Sequence, residues 1–210
     1  MEAQKQVGGA KGGREWEVMS SKGRLDLFDS HCHLQDDRIY ASRKTVVEEA
    51  LGRGISRISV NGCCESDWER VTQLGREFPF PTIIPNYGLH PWFLETRSES
   101  WLTALRSALV SHPEAGLGEC GLDKSPRVLE RTPLDVQADL LSQQLKLGKE
   151  LGRPISLHCV KAWGRMQEVL RAEGPFPSGL VMHSFQGPRE VIAPLAKLGA
   201  YFSLSLSILG

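Results

Sequence analysis

The chain has 210 residues, 40% of them hydrophobic, and its 25 Lys+Arg balance 25 Asp+Glu. That suits one globular domain with a substantial core, and it gives no indication of a broad basic surface for nonspecific duplex binding. No apolar run approaches the length of a membrane span. The five cysteines, Cys32, Cys63, Cys64, Cys120 and Cys159, are odd in number and form no C-x-x-C pair. They argue against a disulfide framework and for a reducing compartment, the cytoplasm, with the nucleus as the alternative.

Residues 1–24 are rich in Gly, Lys and Glu without periodicity and read as a disordered leader with no signal-peptide pattern. A first strand over 25–33 stops on Asp29, His31 and His33. Residues i and i+2 of a strand share a face, so both imidazoles can aim at one point, with Asp29 placed to orient one of them. A helix is predicted over 42–53, a strand over 55–60 and a helix over 65–78. The third strand, 82–90, ends in Gly88-Leu89-His90-Pro91-Trp92, and a helix over 99–111 follows. The fourth strand, 115–122, leads into a charged stretch, 124–131, that reads as an exposed loop, and then a long helix over 133–151. A strand over 154–159, a helix over 162–173, a strand over 179–185, a helix over 188–198 and a seventh strand over 201–207 complete the series.

Strands alternating with helices predict a parallel α/β architecture. Their even spacing, with no G-x-G-x-x-G after any strand, favours a TIM-type (β/α)8 barrel over an open dinucleotide-binding sheet. The barrel is expected to be incomplete, with seven strands and the last βα unit missing, because the sequence stops at Leu209-Gly210 and such barrels typically take about 250 residues. Residues 25–210 form this one unit. Unpaired edges on strands one and seven carry the further expectation of lower stability and more aggregation than in a closed barrel.

Chemistry in such barrels sits at the C-terminal ends of the strands. Those positions hold His31, His33, His90, Glu119, His158 and His183, so five of the six histidines fall there. His112, in a Ser-His-Pro turn, reads as structural. Imidazoles with a carboxylate suit a transition metal, or a metal pair bridged by Glu119, and such a pair can drive hydrolysis. Cys32, Cys120 and Cys159 each follow one of these residues and read as small apolar groups on the opposite face. Trp92 and Phe93 suit stacking on a nucleobase or packing a loop over the barrel mouth, and burial preferences favour the packing.

Several segments carry a family resemblance: Phe28-Asp29-Ser30-His31-Cys32-His33-Leu34, Gly88-Leu89-His90-Pro91, Gly118-Glu119-Cys120-Gly121-Leu122-Asp123, Gln143-Gln144-Leu145 leading to Pro154-Ile155-Ser156-Leu157-His158-Cys159, and His183-Ser184-Phe185-Gln186-Gly187. In this order the chain resembles the TatD family of metal-dependent deoxyribonucleases. The resemblance implies hydrolysis of DNA, as an exonuclease on single-stranded ends, with two divalent ions. The sequence, lacking an apolar run of spanning length, predicts no membrane, and no stable protein partner is predicted. His31 and His33 hold one ion, His158 and His183 the second, and the catalytic Glu119 bridges them. Magnesium is the ion implied, while histidine-rich ligation alone admits manganese or zinc. His90 is expected on the substrate phosphate, and Asp123 in support of a ligand or a loop. Two departures stand out. Val160 occupies a position where the family usually has arginine, with Lys161 beside it as a substitute, and the family's strand-eight aspartate has no counterpart in this sequence. The alternatives are hydrolysis of a C–N or lactone bond on the same scaffold, and an inactive or regulatory form that binds metal without turnover.

Overall fold

The computed structural model describes residues 26–205. The leader expected over 1–24 and the final positions expected in the seventh strand, 206–207, lie outside the described residues. Seven strands, β1 Leu27–Cys32, β2 Ile55–Asn61, β3 Ile83–Tyr87, β4 Gly116–Asp123, β5 Ile155–Val160, β6 Leu180–Met182 and β7 Ala200–Phe202, form one parallel sheet in sequence order. Around it lie α1 Asp37–Tyr40, α2 Arg43–Gly52, α3 Trp68–Glu77, α4 Trp101–Ser111, α5 Pro126–Leu129, α6 Leu134–Glu150, α7 Trp163–Glu173 and α8 Ile192–Ala196.

The sheet curls. The His31 ring, from β1, stacks on the ring of His183, just past β6, with centroids 3.8 Å apart, so the ends of the first and sixth strands meet. This is the α/β sheet of a TIM-type barrel in seven strands, with β1 and β7 at the two ends of the row. Phe28 and Tyr201 at those ends are 47% and 71% exposed. Strands covered on both faces are buried along their whole length, and β4 is buried at every residue. On α6, Ala138, Leu141 and Leu145 recur at helical spacing and join Leu117, Leu122 and Leu157 of the sheet in one core. Each such leucine contributes about 2 kcal/mol of burial.

Several elements differ from the sequence expectation. The third strand, expected over 82–90, ends at Tyr87, and the seventh, expected over 201–207, spans only Ala200–Phe202, with 203–205 outside any strand. The region 124–131 contains the short helix α5, with Val128 buried; Pro126, at its first turn, presets the helical φ there. β6 has three residues because Ser184, at φ 45°, turns the chain out of the extended conformation directly after His183. The helix expected over 188–198 splits into a 3-10 turn, Arg189–Val191, and α8; Pro188 and Pro194 flank that break, and neither can supply an amide proton to a helical ladder. Helix α1 was not predicted. Its start is capped by Asp36, whose carboxylate accepts from the Arg38 N–H. Among the described residues no helix is long and apolar enough to cross a membrane.

Candidate metal centre at the strand ends

Strand β4 carries the acid at the centre. Its register with β5 slips between Leu117 and Cys120, and an irregularity of this kind re-aims a side chain. Glu119 lies at the slip and is 1% exposed. Two glycines permit this. A Cβ on Gly118 would sit 2.7 Å from the Ser156 carbonyl oxygen, and one on Gly121 would overlap the His158 carbonyl oxygen. The backbones of β4 and β5 therefore touch, which brings Glu119 beside His158.

All six expected residues meet here. His31 Nε2 and His33 Nε2 lie 3.2 and 3.1 Å from Glu119 Oε2 and 3.2 Å from each other. His158 Nδ1 and His183 Nε2 lie 3.0 and 2.7 Å from Oε1 and 3.4 Å from each other. His90 Nε2 is 3.4 Å from the same oxygen. Each of the first two sets is a triangle of donors. Its edges approach the roughly 3.3 Å between ligands on a tetrahedral ion bonded at about 2.0–2.1 Å.

The outer ring nitrogens fix the inner ones. His33 Nδ1 is 2.8 Å from the Asn61 carbonyl oxygen, so it donates there and Nε2 presents a lone pair. His158 Nε2 donates to Asp123 Oδ2 at 3.3 Å, which turns the Nδ1 lone pair toward Glu119. His31 Nδ1 meets the Ser156 hydroxyl at 3.0 Å. Lone pairs of imidazole and carboxylate face each other this closely only around a cation, either a proton or a metal ion, and the donor set fits a divalent ion. His90 has the opposite polarity. Its Nδ1 accepts from the Trp92 N–H at 3.1 Å, so Nε2 carries the proton and donates to Glu119. Proximity alone also groups His31, Glu119 and His183; His33, Cys63 and Glu119; and His90, Glu119 and His158. The ring protons argue against the last of these.

The protonation pattern follows from burial and one shared charge. Burial opposes the charge on Glu119, but hydrogen bonds from His158, His183, His31 and His33 outweigh it and hold the carboxyl well below the usual carboxylate range. Burial lowers His31 to about 4 and also lowers His90, in both cases against the pull of Glu119. For His158 burial is overcome by Asp123 and Glu119, which raise it to about 9. His33 is raised in the same way by Glu119.

Several supports of the site were not anticipated from the sequence, and one expected support fails. Asp29 does not orient a ring; its carboxylate accepts from the His31 backbone N–H at 3.2 Å, and Ser156 meets the ring instead. Asp123, expected in support of a ligand or a loop, is buried and takes hydrogen bonds from His158, from Trp92 Nε1 at 2.7 Å and from the Ser125 N–H at 2.8 Å. Two buried amides of α6 act as backbone clamps. Gln144 accepts from Leu89 N–H and donates to Leu89 C=O, next to His90. Gln137 makes the same pair of bonds with Asp123. Trp163 packs its edge on Phe185, with centroids 4.9 Å apart. His112 bonds the Ala108 carbonyl, away from the site. Lys161 is exposed and is not among the residues lining the cleft.

The centre opens into a cleft of about 640 Å³. Trp92 and Phe93 form one bank, so the aromatic pair faces the opening while its hydrogen bonds also brace the loop. The lining also includes Asp36, paired with Arg38, and Asp37, paired with Arg70.

The sequence profile of the TatD related DNase family matches residues 28–209. The chain belongs to this family. It is 29% identical over 177 residues to the uncharacterized metal-dependent hydrolase YabD of Bacillus subtilis, a match covering 84% of this chain and 68% of that protein. It is 28% identical over 184 residues to a 3'-5' ssDNA/RNA exonuclease TatD of Pantoea, covering 88% and 68%. In structure it resembles YJJV, a TatD homologue of Escherichia coli, with a TM-score of 0.76 and 26% identity over 85% of this chain and 67% of that one. This TatD-family chain is a metal-dependent hydrolase.

Proposed function

We propose that the chain hydrolyses DNA phosphodiesters, as an exonuclease on single-stranded ends, with residues 25–210 as its hydrolase unit. The observation that carries this is the convergence of five ring nitrogens on both oxygens of one buried carboxylate, Glu119, at the floor of an open cleft. The relatives named as exonucleases on ssDNA and RNA support the substrate class. In this reading His31, His33 and Glu119 hold one divalent ion, and Glu119, His158 and His183 hold the second. Magnesium is the expected ion, with manganese and zinc as alternatives. When bound, such ions neutralise phosphate charge and lower the pKa of the attacking water.

The remaining work belongs to the protein. Asp123 holds the His158 ring so that Nδ1 faces inward. The Trp92 N–H keeps His90 in the tautomer whose Nε2–H can turn from Glu119 to a phosphate oxygen, a donor prepositioned for developing charge. The open cleft admits a flexible single strand. The five free thiols suit a reducing compartment, the cytoplasm.

The test is nucleotide release from end-labelled single-stranded DNA. We expect release that a chelator stops and that His158→Ala lowers by roughly a thousandfold or more. Activity indifferent to both, or hydrolysis of lactones or amides with DNA untouched, would overturn the assignment. A second expectation concerns Asp123. Replacing it by Asn weakens its hold on the His158 ring, and loss of such a support typically costs about 10- to 100-fold in metal affinity. Titration calorimetry reads this directly, and unchanged affinity would remove Asp123 from the role.

A further inference from the structure

We propose a second nucleotide subsite on the far side of Trp92, which receives the nucleotide next to the one being released. The proposal rests on the nuclease reading and adds a place and a direction for the strand. Trp92 is 54% exposed yet held at two points, its indole N–H on Asp123 and its backbone N–H on His90. Its ring also stands edge-on to the His90 ring, with centroids 5.2 Å apart. An exposed aromatic already fixed in place loses little further freedom when something stacks on it.

Trp92 and Phe93 line two hollows, the metal-centre cleft and a smaller one of about 270 Å³. The smaller hollow is closed by Pro91, Val128, Arg127 and Arg131. Aromatic faces beside guanidinium groups are the means by which single strands are bound without sequence preference. Arg131 pairs with Glu95 at 3.2 Å. The exposed Arg127 guanidinium has no hydrogen-bond or ion-pair partner among the described residues. Other charges lining the main cleft are compensated, Asp36 with Arg38 and Asp37 with Arg70. A polyanion leaving the centre therefore meets paired charges in the main cleft and an unneutralised cation in the smaller hollow. The strand runs over Trp92, a base stacks on Trp92 and Phe93, and Arg127 takes the phosphate that follows.

The experiment is competition binding of hydrolysis-resistant phosphorothioate oligothymidylates, one to five nucleotides long, to the magnesium-loaded protein. Affinity is expected to rise about tenfold between one and three nucleotides and then level off. Phe93→Ala removes most of that step. Arg127→Ala, an exposed change with little risk to folding, shrinks the step and lowers the slope of log affinity against log salt by about 0.7, the value for one single-strand phosphate. A wild-type protein that binds the mononucleotide with no gain on lengthening overturns the subsite alone. An unchanged slope and step in Arg127→Ala does the same. Failure to bind any length overturns the subsite and the nuclease reading together.

Discussion

Glu119→Gln is expected to abolish both proposed ion sites at once and to lower hydrolysis by roughly a thousandfold or more, while the chain still folds. The reason is that one carboxylate serves both triangles of donors. Oε2 faces His31 and His33, and Oε1 faces His158 and His183. An amide supplies one acceptor instead of two, and its NH2 group meets imidazole lone pairs rather than sharing an ion with them. The amide is nearly isosteric with the carboxylate, so the chain keeps its fold, but it removes a charge that the histidine hydrogen bonds stabilise, and the metal-free variant is expected to melt below the metal-free wild type. The decisive readout is thermal unfolding with and without divalent ion. A ligand at a thousand times its dissociation constant stabilises the native state by about 4 kcal/mol per site. The wild type should show that rise and Glu119→Gln should show none. His158→Ala, which removes a donor from one triangle, should lose only part of it. A metal-dependent rise that survives in Glu119→Gln would show that the ions are held elsewhere.

Much of this centre was legible because its donors obey a local rule. A histidine or glutamate in or just beyond the C-terminal part of a strand in an alternating α/β series points to the mouth of the barrel, and His31, His33, His90, His158 and His183 lie so, while Glu119 reaches the mouth from within β4 through its register slip. The supports obey no local rule. Gln144 clamps Leu89 from 55 positions away, and a buried glutamine on an apolar helix face looks in sequence like any other polar residue. Ser156, which meets His31, lies 125 positions from it. Asp29 misled for a related reason. Its place in the strand pattern was right, but its short side chain reaches the backbone N–H two residues on, as Asp side chains commonly do. The brevity of β6 was hidden because a left-handed serine has no sequence signature comparable to that of glycine or proline. The aromatic pair after His90 could be read either way, and the structure makes both readings partly true. Trp92 braces Asp123 and also faces the cleft.

Gly121→Ala tests the one requirement on which the geometry of the site depends most. Gly121 pairs with His158 across the β4–β5 ladder. The added methyl would overlap the His158 carbonyl carbon and oxygen, with the backbone at φ 156°. Backbone cannot swing aside as the end of a long side chain can, so one strand must move. Moving β5 carries His158 away from Glu119, and moving β4 carries Glu119 away from all its partners. A cost of about 4 kcal/mol or more, in the severe range for a single substitution, is expected. It corresponds to a melting temperature lower by roughly 8–16 °C in a chain of this size. Metal affinity measured below that temperature should fall as well. The control is Gly164→Ala. That glycine is exposed on α7, and a methyl there meets nothing within 4 Å. Helix propensity predicts a change between zero and about 1 kcal/mol in the stabilising direction. If Gly121→Ala melts within about 3 °C of the wild type, a shift worth about 1 kcal/mol, the close approach of β4 and β5 is not what holds Glu119 against His158. The Gly-Glu-Cys-Gly run would then owe its glycines to something other than packing.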